Sequence, residues 1–393
     1  MIPMNKIHAS KAVFAVLFLA VLVGHFWTMM RWNEARGVYD DICYLRQAHL
    51  FQRFGLVEGF DTSLARDDDG YQKAKLKEIG YPDWNDTTAA PCHNLMPATG
   101  KVVIQYPPGV GLVLALFPPG HQVVPMYMLA TIVVLGLALF ALSLARSMRS
   151  VLMAGTFGCL AIYLMVNPVK ASYSMAPTVV VCALAGCLTA RWLAGPRSQP
   201  NIWLLAPIGF LLGLTVDFRL ANLFLASGYG LFLLVAFLLD RTLSRFLQGV
   251  VFGVALLAGV IPTIVSYAVN AGSPFASTYG NNPDVRPLDF SFAVVRDYLA
   301  DPLQTLLIVI GIVGSIWLLR QANGIRRVVA LLTLANLALN LAFFFTYPIA
   351  TPYYTIPISL LTLWTLLFAV LFQEAAEHAP ETAAFSQRAM KSG

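Results

Sequence analysis

Charge is scarce in this chain. Only 12% of its 393 residues are Asp, Glu, Lys or Arg, while 58% are hydrophobic. A water-soluble domain carries about twice that charged fraction, so the soluble globular class is excluded. Cysteine is also scarce: five residues are too few for a disulfide-built scaffold. Long basic runs are missing. The net charge of +6 comes from short Lys and Arg pairs set between apolar stretches. That pattern does not suggest a nucleic-acid partner and fits the cytoplasmic loops of a protein in a lipid bilayer. No clear internal repeat is present either.

What is abundant is apolar sequence in runs of about 18 residues or more, the length that crosses a bilayer. Spans are expected over 12–30, 122–145, 150–167, 173–194, 201–216, 219–239, 246–269, 303–319, 328–346 and 354–372. The fold class is therefore an all-α polytopic membrane protein with about ten transmembrane helices. The connecting segments alternate in charge. Lys6, Lys11, Arg146, Arg149, Arg191, Arg197, Arg241, Arg245, Arg320, Arg326, Arg327, Arg388 and Lys391 fall in one set. The short loops of the other set hold only Lys170, Arg219, Arg286 and Arg296. This asymmetry puts both termini in the cytoplasm. The first run competes with a cleaved signal peptide, but no small-x-small cleavage site follows it, so a retained helix is expected.

Most acidic residues lie in the first outer loop, residues 31–106. A segment of that length is too long for a simple connection and is expected to form a cap with its own short helices. One helix is predicted from Asp40 through Phe54, with Ile42, Leu45, His49, Leu50 and Phe54 on one face and Gly55 ending it. Asp40 and Asp41 start it, where the helix dipole favours carboxylates, so capping alone explains them. Residues 107–120 follow, with Tyr106-Pro107-Pro108-Gly109 before and Pro118-Pro119-Gly120 after a short apolar stretch. Too short to span, this stretch reads as an interfacial or re-entrant helix. Cys43 and Cys92 both fall in the cap; a disulfide and two free thiols fit equally well. Residues 1–372 form a single transmembrane domain, and 373–393 read as a disordered cytoplasmic tail.

Charged groups at the ends of membrane helices are candidates for function. Four sets stand out on the outer side: Asp40 with Asp41; Lys170; Asp217 with Arg219; and Tyr347, Tyr353 and Tyr354. Each has a plain structural reading. Lys170 suits a snorkelling interfacial residue, Asp217 and Arg219 suit a pair or a solvated turn, and tyrosines at helix ends suit interface anchors. His49, His93 and His121 show no metal-ligand spacing. Asp67, Asp68 and Asp69 before Gly70 read as a charged turn, since the rest of a calcium loop is missing. No metal site is assigned, and a divalent ion is left open.

The order of these features resembles the GT-C superfamily of membrane glycosyltransferases. Its members include protein O-mannosyltransferases and the transferase that adds 4-amino-arabinose to lipid A. The resemblance rests on Tyr39-Asp40-Asp41-Ile42-Cys43-Tyr44-Leu45-Arg46-Gln47-Ala48 after the first helix and on Tyr106-Pro107-Pro108-Gly109 closing the loop. Gly209-Phe210-Leu211-Leu212-Gly213-Leu214 leading to Arg219, and Ser273-Pro274-Phe275-Ala276-Ser277-Thr278-Tyr279-Gly280 in a late outer loop, extend it. It covers most of the chain, from Lys11 to about Leu361. One departure stands out: many relatives carry Pro-Arg-Tyr where this chain has Pro352-Tyr353-Tyr354.

The resemblance implies a multi-pass protein of the bacterial inner membrane with its active site on the periplasmic face. It implies transfer of a sugar from a polyprenyl-phosphate donor to a glycan, lipid or protein acceptor, with inversion at the sugar. Asp40 is the first candidate for the catalytic base and Asp41 its alternate or partner. Arg219, then Lys170, are the candidates for the donor phosphate. Tyr106, Pro107, Pro108, Tyr353 and Tyr354 are expected at the substrates. The alternative is a transporter or lipid-linked-glycan flippase.

Overall fold

The computed structural model describes residues 4–32, 41–86, 91–165, 172–194, 201–280, 287–321, 324–349, 351 and 353–377. The chain is helical nearly throughout. It runs α1 (Met4–Met29), α2 (Asp41–Glu58), α3 (Tyr71–Glu78), β1 (His93–Met96), β2 (Lys101–Ile104), α4 (Gly109–Leu114) and α5 (Val123–Leu144). Then follow α6 (Met148–Leu164), α7 (Met175–Ala194), α8 (Leu205–Phe218), α9 (Ser227–Asp240), α10 (Leu243–Ala271), α11 (Phe292–Leu299), α12 (Pro302–Leu319), α13 (Gly324–Phe344) and α14 (Ile356–Glu377).

Eight helical segments are long and apolar enough to cross a membrane, and two more, Met148–Leu164 and Ile202–Phe218, are apolar but shorter. All ten coincide with expected spans, and the protein is a multi-pass membrane protein. Local chemistry places their ends. Ser147 and Ser150 form a reciprocal capping box at the start of α6. The Thr242 hydroxyl accepts from Arg245 N–H at the start of α10, and Asp301 caps α12 ahead of Pro302. Helix α1 begins at Met4, well before the apolar run, because Lys6 and Lys11 are compatible with a helix whatever their cost in lipid. Helix α14 runs through Glu377, so 373–377 is not tail: Gln373 is buried and accepts from Arg326. Residues 378–393 lie outside the described residues.

Helix α14 is the axis of the bundle and is buried along nearly its whole length. Trp364, fully buried, packs where Gly186 of α7 lets the two backbones approach; a Cβ on Gly186 would come within 2.8 Å of the Trp364 Cβ. Helices α8 and α10 touch through Gly209, Gly213 and Gly259, each facing a backbone carbonyl of the other helix. In lipid, where apolar burial gives no net drive between helices, such close approach supplies the van der Waals contact that holds them.

The cap is helical at its start, as expected, but it also contains an antiparallel hairpin of β1 and β2. Residues 93–104 carry too little alternation to announce a strand pair. Helix α2 is regular to Phe54 and breaks at Gly55 (φ 74°, ψ −177°), the residue predicted to end it. Its burial is not confined to one face: every residue from Asp41 to Ala48 is buried, while Phe54 is only partly so. The cap rests on the end of α10, where Asn270 Oδ1 accepts from Thr62 N–H (2.9 Å) and Asn270 Nδ2 donates to Phe60 O (2.8 Å).

The two ends of the bundle differ. The α5–α6 turn, the α12–α13 turn and the end of α14 meet through Arg146, Arg326, Gln373 and Glu374. These are loops that the charge pattern assigns to one side. The cap, Arg219 and Tyr353 gather at the other end.

Candidate functional site

At the cap end, Asp41, Tyr44, Tyr106, Ser172, Arg219, Tyr279 and Tyr353 line one narrow cleft with a cavity volume of about 20 Å³. Six segments far apart in sequence supply them, so the cleft exists only in the folded chain. Asp41 opens α2 and is 1% exposed. Its Oδ1 accepts from Ser172 Oγ (3.0 Å) and from Tyr173 N–H (3.1 Å). The segment entering α7 therefore fixes the carboxylate from across the bundle.

Tyr44 stacks on Tyr106 (ring centroids 5.1 Å apart), and Tyr106 meets Tyr279 edge-on (6.2 Å). The Tyr106 carbonyl accepts from Gln47 of α2 (2.9 Å). Pro107 and Pro108 do not line the cleft. They are buried and set the entry of α4, with Pro108 as its capping residue. Gly109 then packs on Asp217; a Cβ there would come within 2.6 Å of the Asp217 Cβ. Gly111 packs against Gln47 in the same way. The Pro-Pro-Gly run thus wedges a short helix between α2 and α8.

Arg219 follows α8 in an extended conformation (φ −162°, ψ 128°), which turns its side chain into the cleft. Its guanidinium lies 3.9 Å from the Tyr354 ring centroid and 5.3 Å from that of Tyr353. Among the described residues, no carboxylate lies within ion-pair distance of it. The expected pairing of Asp217 with Arg219, or their exposure to water, is not what occurs. Asp217 is fully buried and turns to α10, where its Oδ1 accepts from Thr263 N–H (2.9 Å) and Thr263 Oγ1 (2.5 Å). Pro262 interrupts the helix ladder there. Two residues apart at the end of a helix, the side chains point in different directions.

Burial pushes the Tyr44, Tyr279 and Tyr353 phenols above their ordinary value. They keep their protons near neutral pH and stand as hydrogen-bond donors around Arg219. Tyr44 feels both the Arg219 and the Asp41 charge, so it lies close to both. The cleft therefore combines one carboxylate, one guanidinium and a set of phenols.

Asp40 and Lys170 lie outside the described residues, as does Pro352. Tyr354 holds Arg219 from beneath; Tyr347 stacks on Phe343 instead (5.6 Å). Sequence reasoning did not single out Ser172. Tyr44 and Tyr279 were visible only as parts of longer patterns.

Behind the cleft, α2 is tied to the cap. Cys43 and Cys92 form a disulfide. Buried Arg46 donates to Thr62 O and Ser63 O (both 2.7 Å) and to His93 Nε2 (3.1 Å). His93 Nδ1 donates to Pro91 O (2.7 Å). Cys43, Cys92 and His93 cluster closely enough to hold a metal, but the donor set does not fit one: the sulfurs are joined and both ring nitrogens are engaged. Asp67, Asp68 and Asp69 form the charged turn expected of them, pairing with Arg46, Arg53 and His49.

Comparison with protein-family models, curated proteins and solved structures found no match to this chain.

Proposed function

We propose that this protein is an integral-membrane glycosyltransferase of the GT-C kind, moving a sugar from a polyprenyl-phosphate donor to an acceptor on the periplasmic side of a bacterial inner membrane. The observation that carries the proposal is the shared cleft of Asp41 and Arg219. A carboxylate and a guanidinium with no described carboxylate in ion-pair reach, lining one cleft with several phenols, suit a substrate that is lipid, phosphate and sugar in one.

In this reading the chain crosses the bilayer ten times, counting the two shorter apolar helices, with both termini in the cytoplasm. The gathering of Arg146, Arg149, Arg320, Arg326 and Arg327 away from the cleft favours that orientation. The donor phosphate takes Arg219, whose planar fork matches phosphate oxygens. Phenol O–H groups of Tyr44, Tyr279 and Tyr353 add donors. The missing arginine at Tyr353 leaves Arg219 as the principal clamp, and Tyr354 orients it.

The Asp40–Asp41 pair supplies the base; Asp41 is the member seen in the cleft. As the acceptor oxygen or nitrogen bonds to the anomeric carbon, its proton passes to the carboxylate. The bond from that carbon to the phosphate oxygen breaks, and its electron pair leaves on polyprenyl phosphate, stabilised by Arg219. One displacement inverts the sugar's configuration. The cap aligns both substrates and limits water.

Purified protein in detergent tests this directly, because no membrane has to be crossed there. Incubation with polyprenyl-phosphate sugars and envelope acceptors is expected to yield glycosylated product by mass spectrometry. A protein that binds the lipid-linked sugar but transfers nothing, and instead speeds its movement across vesicles, would be a flippase. Mass spectrometry of envelope glycans and lipids from cells with and without the protein identifies the acceptor.

A further inference from the structure

A second feature lies in the opposite half of the bundle and does not depend on the proposed activity. Between α6, α12 and α14 runs a groove of about 310 Å³ with an almost wholly apolar lining. Met153 and Phe157 form one wall, Trp317 the other, and Leu363, Leu366 and Leu367 the floor. Gly314 leaves the space open: a side chain there would project toward Leu366.

The groove opens at one end into a polar pocket of about 190 Å³, the two sharing Met153, Trp317 and Val370. Ser147, Arg149, Gln321, Arg326 and Glu374 line the polar part. It sits near the C-terminal end of α14, about 25 Å along the helix from the cleft. A groove between membrane helices that ends in polar groups one bilayer thickness from the outer face has the shape of a lipid: chain in the apolar part, headgroup in the polar part.

Charge selects the headgroup. Glu377 is 3.7 Å from Arg326, and Arg326 also donates to Gln321 and Gln373. Glu374 accepts from Arg146 N–H (3.2 Å). Arg149 is different. Its guanidinium lies 4.5 Å from the Trp317 ring centroid, and among the described residues no carboxylate is within ion-pair distance of it. The positive end of the α6 dipole lies at the same mouth. A Trp–Arg stack at headgroup depth with no described carboxylate in ion-pair reach suits a lipid phosphate.

We propose that this groove holds one anionic phospholipid, an acyl chain lying against Phe157, Trp317 and Leu366 and the phosphodiester on Arg149. The carboxylates of Glu374 and Glu377 at the mouth disfavour a doubly charged phosphomonoester and leave room for a singly charged phosphodiester.

Native mass spectrometry of the purified full chain titrated with phosphatidylglycerol or phosphatidylcholine tests it. One phosphatidylglycerol is expected to be retained in preference to phosphatidylcholine. Arg149→Gln should weaken that retention about tenfold, and Gly314→Leu or Thr156→Phe, which fill the groove, should remove it. Arg327→Gln, a charge change outside the pocket lining, should leave it unchanged, and inorganic phosphate alone should not compete. Equal retention of both lipids, or full retention in folded Arg149→Gln and Thr156→Phe, overturns the proposal. So does displacement by polyprenyl phosphate at equal concentration, which would assign the groove to a donor tail.

Discussion

The Arg219 guanidinium lies over the Tyr354 ring, 3.9 Å from its centroid, while Asp217, two residues earlier, turns away to Thr263. The cation is thus held by an aromatic face rather than by a carboxylate, and its charge stays available to a ligand. Arg219→Ala is expected to lower transfer about 100-fold or more. The effect should fall on donor use more than acceptor use; equal effects on both in steady-state kinetics would point to a structural role. Tyr354→Phe keeps the ring and should stay close to wild type, whereas Tyr354→Ala should follow Arg219→Ala in direction.

Asp40→Asn and Asp41→Asn test the base. An amide keeps an acceptor oxygen for Ser172 and Tyr173, so Asp41→Asn should fold and insert normally. Loss of the true base is expected to reduce transfer by about 100- to 10,000-fold. Near-normal product formation by both variants, at normal protein levels, would remove the carboxylate from the mechanism.

The disulfide of Cys43 and Cys92 spans 49 residues, all of them in or beside the cap. Closing a loop of that size limits the unfolded chain and stabilises the fold by about 2–4 kcal/mol. Cys43→Ser/Cys92→Ser, or reductant, is expected to lower the melting temperature of the purified protein and to weaken transfer, because the same helix carries Asp41 and Tyr44. Unchanged melting in reductant, with the thiols shown to be free, would contradict this.

Acid should loosen the cap in two stages. Burial, aided by the Arg46 charge, pushes His93 down from 6.5 to about 3. Its folded value lies below its unfolded one, so its contribution is complete above about pH 6.5 and is lost as pH falls toward 3. The Arg53 hydrogen bond likewise holds Asp68 below the usual carboxylate range; the sign is the same, but the loss begins only below about pH 4. Thermal melts across pH 7 to 4 should show the first stage in the wild type. In His93→Gln, which does not titrate, that stage should vanish.

Chelation gives a simpler check. The described part of the cleft offers one carboxylate, Asp41, far from the six or more oxygens that calcium takes and fewer than magnesium sites draw from protein and substrate together. Transfer is expected to persist after EDTA treatment. Loss on chelation and recovery with a single added cation would show that a metal is required.

Much of this protein followed from composition and spacing alone. Apolar run length sets the membrane helices, because a single apolar segment in lipid satisfies its own backbone hydrogen bonds only as a helix. Gly55 ended its helix as expected, because only glycine accepts that backbone angle cheaply. The grouping of Arg146 and Arg326 at one end was likewise readable from loop charge. The cleft was not. Ser172 on Asp41, Tyr354 under Arg219, and the turning of Asp217 toward α10 join residues more than forty positions apart. No local pattern records such contacts; packing of α2, α7, α8, α10 and the segment entering α14 brings them together. The disulfide and the continuation of α14 to Glu377 also depended on partners distant in sequence, while the hairpin at His93 pairs neighbouring residues whose weak alternation did not announce it.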